Sequence, residues 1–293
     1  MHKNTPQLYL GLAMWANPDW KGSLYTPHTA MTESLPDYAA AFDAVEGNTT
    51  FYSGIPKEET VRVWAAQTPE SFRFCFKLPA FITHEKRLRD CEADIERFLE
   101  RLSLLGPRLG PVMVQLPRDL GQEAMIDLER LLVQWPAHIP CAVEPRSFDF
   151  FAKGDAERAF NRLLITHNAD RVMLDVRPVM TNSGAPGSAL WKAQQEKPKR
   201  PLHVIATGSR PIVRFIGHFE DQINDQLFAP WVDRLALWIS QGKTPFLFVH
   251  TPDNRQAPTL ARRYAEQVSA ALQHNGQVRV PDAFAGEQQS TLF

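Results

Sequence analysis

Eight short apolar runs at nearly even spacing decide what this chain can fold into. They are Leu8–Met14, Phe42–Glu46, Phe72–Leu78, Pro111–Leu116, Pro140–Glu144, Arg171–Val176, Pro211–Gly217 and Pro245–His250, with starts 29 to 40 residues apart. Each interval is long enough for a crossover helix, which parallel neighbours require and hairpins do not. The runs are nearly continuous in apolar residues rather than alternating, as expected of strands covered on both faces. Helical patterns fill most intervals. Lys57–Gln67 aligns Val61, Trp64 and Ala65, and Asp90–Leu105 aligns Ile95, Phe98, Leu99 and Leu102. Ala124–Trp135 and Asp155–His167 carry leucines at the same spacing, and Asn224–Gln241 and Pro258–Gln273 complete the set. Two intervals read poorly. Leu35–Phe42 is interrupted by Pro36, and Arg177–Arg210 has no clean apolar stripe.

Eight strands and about as many helices in 293 residues predict a (β/α)8 TIM barrel, α/β in class, which runs to this size as a single domain. The competing doubly wound open sheet would place a glycine-rich phosphate turn after its first strand. Gly11-Leu-Ala-Met-Trp-Ala16 is no such turn. The expected organisation is a TIM-barrel domain over residues 8–275 and a flexible C-terminal tail over residues 276–293.

Charge and cysteine usage narrow the function. With 32 basic and 33 acidic residues the net charge is −1, so strong direct nucleic-acid binding is not expected. Cys75, Cys91 and Cys141 lie far apart, which suggests neither a disulfide framework nor a zinc ribbon. No stretch of 18 apolar residues and no signal-like start are present, so the expectation is a cytoplasmic protein without a membrane span.

In this fold the chemistry sits at the carboxyl ends of the strands. The stretch Asp43-Ala-Val-Glu-Gly-Asn-Thr-Thr-Phe-Tyr52 begins as a buried strand and ends in polar and aromatic groups. Collecting such residues around the predicted barrel gives a ring: Trp15, Glu46, Asn48, Lys77, Gln115, Glu144, Arg146, Asp175, Arg177, Arg214, His218, His250 and Asp253. Glu46, Glu144, Asp175 and His218 are the candidate catalytic groups. Trp15, Asn48, Tyr52, Lys77, Gln115, Arg146, Arg214 and His250 are the candidate substrate contacts.

Several chemistries stay open. Glu46 and Glu144 would serve as acid and base in glycoside hydrolysis, with Trp15, Trp20 and Tyr25 stacking a sugar. Alternatively Glu144, Asp175, His218 and His250 would hold a divalent metal, although no sequential metal motif is present. Lys77, Arg146 and Arg214 would then bind an anionic substrate. The plainer alternative is that Glu144 and Arg146 only neutralise each other and the histidines are satisfied core residues. The basic, proline-broken run Lys192–Arg200 beside Trp191 falls in the longest interval, where a lid or binding loop is expected.

A family resemblance runs from about residue 8 to about residue 270. It is carried by Gly11 with Trp15, Trp20 with Tyr25, Glu46-Gly-Asn-Thr-Thr-Phe-Tyr52, Trp64 and Phe72-Arg-Phe-Cys-Phe-Lys77. Thr83-His84, Gly110-Pro-Val-Met-Val-Gln-Leu-Pro117, Val143-Glu-Pro-Arg146, Asp175 and Val213-Arg-Phe-Ile-Gly-His218 continue it. Together these residues resemble the YecE-like family of uncharacterised barrel proteins. The resemblance implies a TIM barrel and no established activity. Gly47 stands where a larger apolar residue is usual in the family, and Pro145 where a non-proline is common. His250-Thr-Pro-Asp-Asn254 stands where the family commonly has an asparagine-rich turn.

The reading that follows is an enzyme of hydrolase or isomerase type acting on a polar, anionic or nucleotide-like small molecule. The alternative is a non-catalytic ligand-binding or DNA-maintenance accessory protein. That alternative rests on the chain end, where Gln289-Ser-Thr-Leu-Phe293 resembles the pentapeptide by which bacterial repair and replication proteins bind the sliding clamp. Gln289 would supply hydrogen bonds, and Leu292 with Phe293 would fill an apolar pocket. Ser290 departs from the leucine preferred there.

Overall fold

The computed structural model describes residues 7–274 and 278–290. Its strands are β1 (Tyr9–Leu12), β2 (Ala44–Gly47), β3 (Arg73–Phe76), β4 (Val112–Gln115), β5 (Cys141–Glu144), β6 (Asp170–Asp175), β7 (Ile212–Ile216) and β8 (Phe246–His250). Between them lie α1 (Ser34–Ala41), α2 (Thr49–Ser53), α3 (Glu58–Ala66), α4 (Glu92–Ser103), α5 (Met125–Gln134), α6 (Asp155–Thr166), α7 (Ala189–Glu196) and α8 (Asp221–Ser240). The chain ends with α9 (Ala257–Ala271) and α10 (Ala285–Ser290). The eight strands form one sheet in the order β3-β2-β1-β8-β7-β6-β5-β4. Single bridges Phe74↔Leu109 and Lys77↔Met113 join the β3 and β4 segments at the two ends of that order. The fold is a (β/α)8 barrel.

All eight apolar runs hold strands, most of them trimmed by one to three residues, with β2 and β6 shifted by a residue or two. The helices expected from periodicity are present, and the two weak intervals hold the short helices α1 and α7. Pro36 is tolerated because it is the third residue of α1, where a backbone N–H has no acceptor within the helix. Among the described residues no helix is long and apolar enough to cross a membrane. All three cysteines are buried and free.

Two compact units divide the chain. Of the described residues, one contains those up to Val45, Asp175–Lys197 and those from Val213 onward; the other contains Glu46–Leu174 and Pro198–Ile212. In the first unit β1 pairs in parallel with β2 (Gly11↔Ala44) and with β8 (Tyr9↔Phe246 through Leu12↔Val249). Gly11 is what permits this approach, since a Cβ there would lie 2.1 Å from the Ala44 carbonyl oxygen. On the outer side Phe215 meets Phe228 and Tyr264 edge-on at 5.3 Å, tying β7 to α8 and α9.

Beyond α9, residues 278–287 of the expected tail carry packing contacts. Val278 and Phe284 are buried, Phe284 lies against Phe42, and the Arg262 guanidinium sits 4.3 Å above the Phe284 ring. Glu287 accepts both forks of Arg262 at 2.8 and 2.9 Å. Gln289 belongs to α10, and Leu292 and Phe293 lie outside the described residues.

In the second unit β4, β5 and β6 pair in parallel, with Gln115 opposite Glu144 and Val143 opposite Arg171. Trp64 of α3 stacks on Phe74 and Phe76 of β3. Gly47 follows from that packing. A Cβ on it would stand 2.2 Å from Cδ1 of Phe76, so Phe76 fills the space that a larger residue would take. Gly47→Ala is therefore expected to lower stability by about 1–3 kcal/mol through overpacking. Chemical denaturation is the check, and a Gly47→Ala/Phe76→Leu double variant should recover much of the loss.

The largest buried charge of the unit is Arg171, 1% exposed on β6. It donates to Asn161 Oδ1 at 2.6 Å and to the Phe150 carbonyl at 2.8 Å, and it lies 3.4 Å from Glu157 Oε1. Glu157 is shared with His203 Nδ1 at 2.5 Å. The rings of Phe151 and Phe160 flank the guanidinium at 5.1 and 5.5 Å.

Candidate active site

The carboxyl ends of β2 to β5, all in the second unit, carry a dense group of charges. Glu46 is completely buried at the end of β2, and Lys77, just past β3, reaches it at 3.2 Å. Lys77 is also held from its backbone, where Thr50 of α2 donates to the Lys77 carbonyl at 2.7 Å. Its ammonium lies 6.0 Å from the centre of the Phe51 ring. Asn48 is half-buried at the start of α2, whereas Tyr52 is 81% exposed and meets Phe51 edge-on.

One strand further round, Glu144 and Gln115 stand opposite each other in register and share Arg146. Arg146 Nε donates to Glu144 Oε1 at 2.7 Å, and Nη2 donates to Gln115 Oε1 at 2.8 Å. Glu144 and Gln115 are buried, but the Arg146 side chain keeps 16% of its surface. Nothing among the described residues takes up its remaining Nη1, so one edge of a fixed guanidinium faces outward. Arg200 donates to the Arg146 carbonyl at 2.7 Å and stacks 3.8 Å above Phe148. Burial, together with the positive charges of Arg118 and Arg146, lowers the Arg200 pKa.

His84, in the π-helical segment Phe81–Glu85 after β3, belongs to the same neighbourhood. It is half-buried, with Nδ1 2.8 Å from Thr83 Oγ1 and its ring edge-on to Phe51 at 5.1 Å. Desolvation, then the Arg146 charge, lowers its pKa, with Lys77 adding to the effect and Asp119 and Glu144 opposing it. The imidazole is accordingly neutral at neutral pH.

The first unit holds the remaining candidates. Asp175 is fully buried, and its carboxylate accepts from Arg177 at 2.9 and 2.7 Å and from the Trp231 indole of α8 at 2.8 Å. Grouped in the sequence with the acids and bases, it is bound to a helix and to its own neighbour, and it enters no step below. His218 is 3% exposed and rigidly placed. Asn224 of α8 accepts from the His218 N–H at 2.7 Å and donates to its carbonyl at 2.8 Å. His218 Nδ1 accepts from the Glu220 N–H at 3.1 Å, which puts the ring proton on Nε2 in the neutral form. That Nε2 has no partner among the described residues. Arg214 and His250 are buried on β7 and β8, and Trp15 is half-buried after β1. Trp20 and Tyr25, read with Trp15 as a stacking platform, are completely buried. The Trp20 indole donates to the Asn254 carbonyl at 2.7 Å, and the Tyr25 hydroxyl donates to the Trp15 carbonyl. Both are core residues, so the sugar-platform expectation is corrected.

The chain matches the family described as "Protein of unknown function DUF72" over residues 9–283. It belongs to that family. It is 42% identical over 287 residues to the UPF0759 protein YecE of Escherichia coli K12, covering 98% of this chain and all of that one. The UPF0759 protein YunF of Bacillus subtilis is 30% identical over 157 residues, covering 50% of this chain and 52% of its own. Among solved structures, a DUF72 family protein from Enterococcus faecalis V583 superposes with a TM-score of 0.68 at 19% identity, covering 89% of this chain and 95% of that one. Another, from Thermotoga maritima MSB8, superposes with a TM-score of 0.65 at 22% identity, covering 91% and 99%.

Within this DUF72 chain, sequence reasoning named Glu46, Lys77, Glu144 and Arg146 and offered the Glu144–Arg146 pair, but it did not pair Glu46 with Lys77 and missed what surrounds them. His84 was visible in the Thr83-His84 pair of the family resemblance but lies eight residues beyond the end of β3. Arg118 follows Pro117, past the end of β4, and Arg200 closes the basic run that was expected to act as a lid. Among the described residues no three His, Cys, Asp or Glu side chains are grouped so as to hold a metal ion.

Proposed function

We propose that this DUF72 protein is an enzyme of hydrolase or isomerase type. Its substrate is an anionic small molecule, phosphate- or carboxylate-bearing and including nucleotide-like compounds, held at the carboxyl ends of β2 to β5. One observation carries the reading. Arg146, held by Glu144 and Gln115 and with Arg200 donating to its carbonyl, keeps its Nη1 edge uncommitted among the described residues, near a neutral, half-buried His84. The free edge of Arg146, fixed in one orientation, has the fork geometry that suits phosphate or carboxylate.

The division of labour follows from what each group touches. Glu144 and Gln115 fix the plane of Arg146, and Glu46 fixes the ammonium of Lys77. Arg146 and Lys77 then stabilise negative charge on the substrate without having to reorganise. His84, uncharged, accepts a proton from an attacking water in hydrolysis, or from a carbon next to a carbonyl in isomerisation, and returns it later. No step requires a group that the chain does not supply.

Thermal stabilisation by a panel of phosphate esters, carboxylates and their neutral analogues tests the binding half of the proposal. Stabilisation confined to the anions supports it; equal response to the neutral analogues removes it. The catalytic half is read from pH. Because the His84 pKa lies below 6.5, its neutral form persists as pH falls past that value, and the acid limb of turnover is expected below pH 6.5. His84→Gln should abolish that limb together with most of the rate. An unchanged profile in His84→Gln would exclude His84 as the proton acceptor.

A further inference from the structure

A cavity of about 690 Å³ opens between α4 and α5, away from the strand ends. Its floor is apolar, built from Ile95, Leu99, Leu131, Trp135 and Ile139. Along the α4 edge stand Glu92, Glu96 and Glu100, all exposed and spaced four residues apart, so that they form one stripe. None of the three carboxylates takes part in an ion pair or hydrogen bond among the described residues. The α5 edge is different, because Asp127 is held there by Arg89 and Arg130, each at 3.0 Å. The uncompensated charge of the groove is therefore the three carboxylates of the α4 edge, Asp127 being neutralised by Arg89 and Arg130, in a chain whose overall charge is only −1.

We propose that this groove docks an amphipathic helix of a partner protein, one that carries lysine or arginine along the edge lying against α4. Neighbouring helices ordinarily pack with their axes 8–10 Å apart and leave no such trough. The trough follows α4, a helix of 12 residues and so about 18 Å long, which matches about three turns of an incoming helix. Its apolar floor suits anchors spaced i, i+3 or i+4, and i+7. The unpaired glutamates repel one another at four-residue spacing, and a basic helix edge converts that repulsion into attraction. A neutral small molecule on the floor would leave the glutamates as they are. A second copy meeting this groove face to face would set one acidic stripe against another.

The probe is a synthetic helical peptide of about four turns, with leucines at the anchor spacing and lysines along one edge. A second peptide, with glutamate replacing each lysine, is the control. Titrated against the full chain, the basic peptide is expected to bind and the acidic one not to. Glu96→Lys/Glu100→Lys should weaken binding about tenfold or more, a change of about 1.4 kcal/mol. The melting temperature should not move, since both glutamates are exposed. Methyl NMR shifts should fall on Ile95, Leu99 and Leu131. No binding of the basic peptide, equal binding of both peptides, or binding indifferent to the charge reversal would each overturn the proposal. So would sedimentation as a dimer that the charge reversal dissociates, because the occupant would then be a second copy.

Discussion

Arg146→Ala is expected to weaken binding of an anionic ligand by about a hundredfold, more than removal of any neighbouring cation. The reason lies in how Arg146 is held. Its Nε and Nη2 are committed to Glu144 and Gln115 at 2.7 and 2.8 Å, so the remaining edge is presented in one orientation. A charge-assisted contact from such a group contributes about 2–5 kcal/mol, and a factor of a hundred requires only about 2.7. Arg200 is placed less strictly, because its guanidinium stacks on Phe148, which is itself 59% exposed. Arg200→Ala should therefore cost less.

Arg146→Lys separates charge from geometry. A lysine keeps the charge but cannot span both Glu144 and Gln115 while offering a fork, so its affinity should fall between those of the wild type and Arg146→Ala. Calorimetric titration with a phosphate ester gives the affinities, and denaturation in parallel gives the cost of disturbing Glu144. Equal affinities in all three proteins would show that the anion does not bind at Arg146.

The barrel was legible because strand burial and helix periodicity are local properties of the chain. A strand covered on both faces must be apolar throughout, and a helix with one covered face must repeat its leucines, so the β3, β4 and β5 runs and α4 to α6 stood out. Site composition was legible to the same extent. Glu46, Lys77, Gln115 and Glu144 sit on or immediately after strands, where position alone implies a place at the carboxyl end. His84, Arg118 and Arg200 lie on turns and a long connection, and nothing in their spacing shows where the chain returns. Asp175 shows another limit of strand position. It sits at a strand end like Glu144, but its oxygens serve the Trp231 indole of α8 and Arg177, and alternation along β6 could not be phased without knowing the pairing of Val143 with Arg171. At the chain end, Phe284 and Glu287 find their partners, Phe42 and Arg262, far away in sequence, which no local pattern reveals.

The largest expected loss of stability comes from a residue with no part in the proposed chemistry. Arg171→Met should cost about 3–5 kcal/mol, the range for removing one member of a buried charge group. Arg171 is 1% exposed, and its replacement strips a donor from Asn161, another from the Phe150 carbonyl, and the nearest guanidinium from Glu157. The arginine itself is under strain from desolvation, which lowers its pKa to about 10 against the pull of Glu157. Removing the charge therefore relieves one cost while creating a larger one, because the buried polar groups around it lose their partner. The carboxylate of Glu157 still has His203 at 2.5 Å, and that contact should limit the damage. Arg171→Met/Glu157→Leu removes both members of the pair and should recover part of the loss, since a buried ion pair replaced by apolar groups of similar volume is often close to neutral. Urea denaturation of the two variants decides the matter. If Arg171→Met proves as stable as the wild type, the arginine is not holding the α6 side of the barrel together. If the double variant is no more stable than the single one, the loss is in packing against Phe151 and Phe160 rather than in the unpaired charge.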